Sequence, residues 1–332
     1  MNESSLQCDT LAHRAAAGDF ISRSHMLGHR RRDYKLFIPT KTNDEPMPLL
    51  VMLHGCKQDP DDFAAGTRMN DWAQREGFLV VYPSQPRSEN CNNCWNWFDS
   101  RQQTRDGGEP VLIVGIVKDI MNEHPVDAAR IFVAGLSAGA AMAVILGSTY
   151  PDLFAGVAAH SGLPAGAASN MLAAVAAMQG RKSVSTAEAS NLPVPTIVFH
   201  GDADPIVNLS NGATIVEQAL QGSAACDIKL GRRRVEPGVH EGIRFTRAHH
   251  TDEGGRHRIE EWIVHGGEHA WFGGCDEGSF TDPSGPDASA EIVRFFLELP
   301  PHRSSQASAD ADERSDDDIA AFSSTPRRAR HA

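Results

Sequence analysis

The chain has 332 residues, 41% of them hydrophobic, and a formal net charge of −12. That length holds one large α/β domain or two small ones. The acidic balance argues against a nucleic-acid partner, which a broad basic face would mark, and no apolar run approaches the roughly 20 residues that span a bilayer.

Residues 1–29 read as a loosely ordered lead-in, polar and alanine-rich, with no charged start followed by an apolar core of the kind that marks a signal peptide. Arg32 to Pro39 alternates as an early edge strand that Pro39 ends. Leu49 to Leu53 is a continuous apolar run closing on His54-Gly55-Cys56, as expected of a parallel strand covered on both faces. Asp61 to Glu76 reads as one helix stopped by Gly77, followed by a strand over Phe78 to Pro83. Glu109 to Glu123 has Leu112, Ile113, Ile116 and Ile120 at helical spacing. Ile131 to Ala134 is a short strand that meets a tight turn and an alanine-rich helix. Strands follow at Phe154 to His160 and Pro195 to His200, with helices at Ser169 to Gln179 and Asn208 to Leu220. Ile228 to His265 contains β-like runs, and Asp287 to Leu299 closes the main domain, residues 30–299, as an amphipathic helix. Residues 300–332, with an acidic block from Asp310 to Asp318 and then Arg327, Arg328 and Arg330, read as a disordered charged tail with too few apolar residues to fold as a separate module. Alternating strands and helices predict a doubly wound, mainly parallel α/β sheet, whose ligands collect at the carboxyl ends of the strands.

The turn at Gly135-Leu-Ser-Ala-Gly139 carries the chemistry. A Gly-x-Ser-x-Gly turn between strand and helix lifts the serine out of the sheet, and the glycines leave room that a Cβ would fill. Ser137 is therefore the candidate nucleophile. A hydroxyl at neutral pH needs a base, and the base needs an acid that fixes its tautomer. On this architecture the order is serine, acid, histidine. The stretch His200-Gly-Asp202-Ala-Asp204 offers two acids, with Asp204 preferred because it lies deeper in the loop, and His265-Gly-Gly-Glu268-His269 offers the base, His269. The oxyanion donors expected here are the backbone N–H groups of Ala138, after the nucleophile, and of Cys56, after an early strand.

Competing readings are weaker. His265-x-x-Glu268-His269 matches a zinc-binding pattern, but that pattern needs a helix, and Gly266-Gly267 disfavours one. No metal and no cofactor is expected. Cys91-Asn-Asn-Cys94 lacks the strand-then-helix setting of a redox pair. His249, His250 and His257 fit a polar hairpin, and His160 fits packing beside the elbow, with a place in the cleft lining as the alternative.

From about Tyr34 to Leu299 the chain resembles the polyhydroxyalkanoate (poly-3-hydroxybutyrate) depolymerase esterases, themselves similar to feruloyl and acetylxylan esterases. The resemblance rests on Leu53-His-Gly-Cys56, Cys94-Trp-Asn-Trp-Phe98, the elbow, His160-Ser-Gly162, His200-Gly-x-x-Asp204, His269-Ala-Trp271 and Gly273-Gly274. It implies an α/β-hydrolase fold, a triad of Ser137, Asp204 and His269, an oxyanion hole from Cys56 and Ala138, and a Cys56–Cys94 disulfide. It also implies a polyester or small-ester substrate and an extracellular setting, with the cytoplasm as the alternative for a chain showing no signal peptide. Trp95 and Trp97 are expected near the substrate, together with Trp271, although each is equally a core candidate. Phe272 departs from the family pattern, which often has a small residue or proline there.

Overall fold

Six parallel strands make the centre of a ten-stranded sheet in the computed structural model, which describes residues 17–40, 45–181 and 191–302. In spatial order they are β4 (Leu79–Pro83), β3 (Met47–Leu53), β5 (Val126–Leu136), β6 (Gly156–His160), β7 (Thr196–Gly201) and β10 (His257–Val264). Antiparallel strands extend both edges: β2 (Arg30–Pro39) and β1 (Gly18–Leu27) beyond β4, and β9 (Ile243–Thr251) and β8 (Arg234–His240) beyond β10. A small parallel pair, β11 (Trp271–Phe272) and β12 (Thr281–Asp282), lies apart from the sheet.

Alternation along the central strands divides the core into two layers. Leu49, Val51, Leu53 and Val133 face one layer, where α3 (Gly108–Glu123) and α4 (Ala138–Thr149) supply Ile113, Val117, Met142 and Ile145. Leu50, Met52, Phe132 and Ala134 face the other, against Phe63 of α1 (Pro60–Thr67), Met69 of α2 (Met69–Glu76) and Ile292 and Phe296 of α7 (Ala288–Glu298). Two further helices, α5 (Met171–Met178) and α6 (Ser210–Ala225), join the first layer through Ala174 and Ala177 and through Ile215 and Ala219. Burial on both faces explains why these strands read as unbroken apolar runs. The chain runs outward from β3 to β4 and returns to β5 on the other side of β3, so the switch point that attracts ligands lies between the carboxyl ends of β3 and β5.

Three expectations need correction. Within the expected lead-in, Gly18 to Leu27 form β1, which pairs residue for residue with β2 from Gly18 opposite Pro39 to Leu27 opposite Arg30, while residues 1–16 lie outside the described residues. The helix expected over Asp61 to Glu76 is two helices: Arg68 takes a left-handed backbone (φ 51°) and reaches the Gly273 carbonyl with its Nη2 at 3.1 Å. Pro300 to His302 still follow the domain, His302 donating its backbone N–H to Ala129 at 2.9 Å. The rest of the expected charged tail, 303–332, lies outside the described residues. Among those that are described, no helix is long and apolar enough to cross a membrane.

Candidate active site

β5 ends at Leu136 and α4 begins at Ala138, leaving Ser137 alone in the turn with φ 57° and ψ −117°. Side chains rarely occupy that region, and such strain collects where function requires it. The flanking glycines are required by close approach. A Cβ on Gly135 would come within 2.4 Å of the Gly139 carbonyl carbon, and one on Gly139 within 2.0 Å of the Leu53 carbonyl oxygen. That second contact brings the loop after β3, and with it Cys56, against the start of α4.

The β3 loop is tied down from several sides. Cys56 is disulfide-bonded to Cys94 across a sequence separation of 38. Gln58 Oε1 accepts the Gly55 N–H at 2.9 Å, and Trp95 Nε1 donates to the His54 carbonyl at 3.0 Å. His54 is buried; its Nδ1 donates to the Gly55 carbonyl at 2.8 Å and its Nε2 accepts the Gln85 N–H at 3.2 Å. Those two bonds define a neutral imidazole, and burial pushes its pKa down to about 4. Behind it, Gln85 receives Arg32 and donates to Glu109, whose carboxylate also takes the Asn96 backbone N–H at 2.9 Å. Sequence reading passed over Arg32, Gln85 and Glu109, since a Glu in the first turn of a helix looks like an ordinary N-terminal acid.

The loops that carry the candidate acid and base follow β7 and β10, which pair in parallel as far as Gly201 opposite Val264. Two carboxylate–imidazole pairs form between them. His269 Nδ1 donates to Asp204 Oδ2 at 2.7 Å, and Asp204 Oδ1 accepts the N–H groups of Ile206 at 2.8 Å and Val207 at 2.9 Å. Burial raises the Asp204 pKa, but the His269 bond and charge and the two amides outweigh it and hold the carboxyl below its ordinary range. His265 Nδ1 donates to Asp202 Oδ2 at 2.7 Å and its Nε2 meets Thr246 Oγ1 at 2.9 Å. Asp202 Oδ1 accepts the Gly266 N–H at 2.7 Å. The pairs differ in setting: the Asp204 carboxylate is wholly buried, whereas Asp202 and His265 are each about one-third exposed. The two imidazoles of the zinc-like pattern thus bond to different carboxylates, on a non-helical stretch where Gly266 has φ 79°.

The tryptophans lie in the core. Trp95 and Trp271 are fully buried and Trp97 nearly so, which fits the packing reading weighed beside substrate contact. Trp271 donates Nε1 to Ser289 Oγ at 3.0 Å and meets Phe63 edge-on. His249 and His257 stack on one another in the β9–β10 hairpin.

Comparison with known proteins bears on the family and the fold. The chain is 36% identical over 185 residues to poly(3-hydroxyalkanoate) depolymerase C of Paucimonas lemoignei, covering 52% of this chain and 44% of that protein. It is 36% identical over 138 residues to feruloyl esterase B of Neurospora crassa, covering 40% of this chain and 46% of that protein. The chain spans less than half the length of these curated relatives. In solved structures the fold matches an acetyl xylan esterase from Aspergillus awamori with a TM-score of 0.60 at 18% identity, over 80% of this chain and 94% of that one. It also matches an S-formylglutathione hydrolase from Agrobacterium tumefaciens with a TM-score of 0.55 at 14% identity, over 86% and 98%. Both likenesses bear on the fold, and the sheet, its switch point and the elbow are those of an α/β hydrolase. Residues 32–245, which include Ser137 and Asp204, match the family model described as esterase PHB depolymerase, and the chain belongs to that family.

Proposed function

We propose that this chain is a serine ester hydrolase acting on hydroxyalkanoate esters, polymeric or oligomeric, or on short acyl esters, through an acyl-enzyme. The observation that carries the reading is the buried Asp204–His269 pair at 2.7 Å on the same sheet edge as the strained Ser137. With Nδ1 engaged by Asp204, the free nitrogen of neutral His269 is Nε2, the atom that takes the Ser137 proton as Oγ attacks the ester carbonyl. The tetrahedral oxyanion is received by the Cys56 and Ala138 N–H groups. His269 then gives its proton to the leaving alcohol, and water, activated by the same base, releases the acid. No cofactor or metal takes part in this scheme. The Cys56–Cys94 bond supports an oxidising, extracytoplasmic setting.

A second reading is a carbohydrate esterase removing feruloyl or acetyl groups, supported by similarity to feruloyl esterase B and, at 33% identity over 136 residues, to acetylxylan esterase A of Emericella nidulans. The same triad serves both, and only pocket shape separates them. The test is a hydrolysis panel of hydroxybutyrate oligomers, feruloyl esters and acetylated xylan, run with Ser137→Ala as control. Fastest turnover of hydroxybutyrate oligomers favours the first reading; faster release of ferulate or acetate selects the second. Failure of a fluorophosphonate to label Ser137, with no turnover of any ester, leaves a non-catalytic binding protein.

A further inference from the structure

His160 ends β6, beside the elbow, and touches both halves of the site with opposite ends of one residue. Its carbonyl oxygen accepts the Ser137 backbone N–H at 2.9 Å. Its ring Nε2 accepts the backbone N–H of Phe272 at 3.2 Å, three residues beyond His269 on the same loop. We propose that His160 is a positioning residue, an uncharged hydrogen-bond acceptor that fixes the histidine loop to the nucleophile elbow and so sets His269 against Ser137. The proposal rests on the assignment of Ser137 and His269 as nucleophile and base.

The surroundings suit that role and no proton-carrying one. The ring lies between Phe199 (centroids 5.7 Å apart, planes 8° apart) and Trp271 (5.0 Å, 21°), with Phe272 against it at 4.8 Å. This stack removes the freedom of the ring to turn. His160 is wholly buried, and the titratable groups that bear on it are His200, His269 and Asp204. Burial, helped by His200 and His269 and opposed by Asp204, drives its pKa well below the ordinary value. It is therefore neutral at neutral pH. A backbone N–H only donates, so Nε2 is bare and the proton sits on Nδ1, within 3.3 Å of Ser161 Oγ. Phenylalanine fills the same stack but leaves the buried Phe272 N–H without an acceptor. Glutamine carries a carbonyl that reaches in the same direction.

The experiment compares His160→Phe and His160→Gln with wild type on a soluble p-nitrophenyl ester, with Ser137→Ala alongside. A shift of the base by about 1 Å costs on the order of 10²-fold in rate. His160→Phe is expected to lower kcat by roughly 10- to 100-fold with KM within about threefold, because the loss falls on alignment rather than on binding. His160→Gln is expected to recover most of that loss. A folded His160→Phe with wild-type kcat, or a folded His160→Gln as slow as His160→Phe, overturns the proposal while leaving the triad standing. If Ser137→Ala is as active as wild type, the triad falls and the proposal with it. Should the variants not fold, ¹⁵N NMR of the wild-type imidazoles decides: a neutral Nδ1–H tautomer at residue 160, constant from about pH 5 to 9, is expected. A protonated Nε2 or a ring that titrates in that range refutes the role.

Discussion

Asp204 and His269 are joined at 2.7 Å by the same kind of bond, at the same length, as Asp202 and His265 one step further out. Both pairs bridge the loops after β7 and β10, but only the Asp204 carboxylate is fully withdrawn from water. Asp204→Asn removes the acceptor that fixes the base's tautomer and is expected to lower kcat by about 10³- to 10⁴-fold. Asp202→Asn weakens only the outer clamp and is expected to cost less than about tenfold. The His269 bond and the two amides hold the Asp204 carboxyl below its ordinary range, so mild acidification does not act on activity through this acid. Steady-state kinetics of both variants across pH check this. An Asp202→Asn as damaged as Asp204→Asn, or a wild-type rate flat into acid, contradicts the assignment.

The disulfide gives a second expectation. It closes a loop of 38 residues between Cys56, beside the elbow, and Cys94, at the head of the Trp95–Trp97 segment. Chain-entropy bookkeeping for such a loop gives about 4 kcal/mol of stabilisation. Cys94→Ser should lower the unfolding free energy by roughly that amount in denaturant titrations and reduce kcat as well, since the Cys56 amide loses its anchor. Peptide mapping without reduction should recover Cys56 joined to Cys94 and Cys91 as a thiol. A Cys91–Cys94 peptide in protein made under oxidising conditions contradicts the pairing.

Stability should fall in two stages on acidification. Burial alone would raise the pKa of Glu260, but Arg247, Arg294 and His257 surround it and hold it at about 2. Its folded value lies below its unfolded one, so its contribution is complete above the ordinary carboxylate value of about 4.5 and is lost as pH falls toward about 2. His54 acts at higher pH. The unfolded chain takes up that proton near 6.5 while the folded form resists until about 4, so stability already declines across that interval. Thermal melts from neutral pH down to about 2.5 should show Tm falling first below about 6.5 and again below about 4.5. Glu260→Gln should shrink the lower stage, and at neutral pH it should lose on the order of 1–3 kcal/mol by leaving the partly buried Arg247 without its carboxylate, while Arg294 keeps Glu291 and Glu298. A Tm independent of pH above about 4.5 rules out the His54 contribution.

How much of this was legible beforehand follows from how local each signal is. The elbow, His269 and the acid loop are written in short motifs flanked by apolar runs, and the two-layer core shows in the unbroken run at Leu49 to Leu53. The strand β1 was not legible, because its half-exposed residues gain their order from pairing with β2 and carry little apolar pattern of their own. Nor did spacing decide between Asp202 and Asp204, two residues apart in one loop. Their partners depend on the register of β7 against β10 and on the Asp202 and Ala203 N–H groups meeting Val264 and Gly267 carbonyls, all contacts across more than 60 residues. Nor did the sequence decide between core and cleft for the tryptophans, because the burial of Trp95 and Trp271 depends on His54, Phe63 and Ser289, remote in sequence.

The elbow itself yields the last expectation, which separates strain from chemistry at one residue. Ser137 carries a Cβ at φ 57° and ψ −117°, a conformation that costs side-chain-bearing residues about 1–3 kcal/mol. Ser137→Gly removes the proposed nucleophilic hydroxyl and the Cβ together; Ser137→Ala removes the hydroxyl and keeps the Cβ. Both should be inactive. Glycine also enlarges the unfolded ensemble by roughly 0.5–1 kcal/mol, which offsets part of the relief. The balance leaves Ser137→Gly more stable than Ser137→Ala by about 1 kcal/mol, a Tm rise of roughly 2 °C for a domain of this size. Equilibrium unfolding of the two inactive proteins measures the difference with catalysis out of the comparison. Equal stabilities would mean that the turn holds no strain at Ser137, and that the rigidity of the elbow comes from the Gly135 and Gly139 contacts alone.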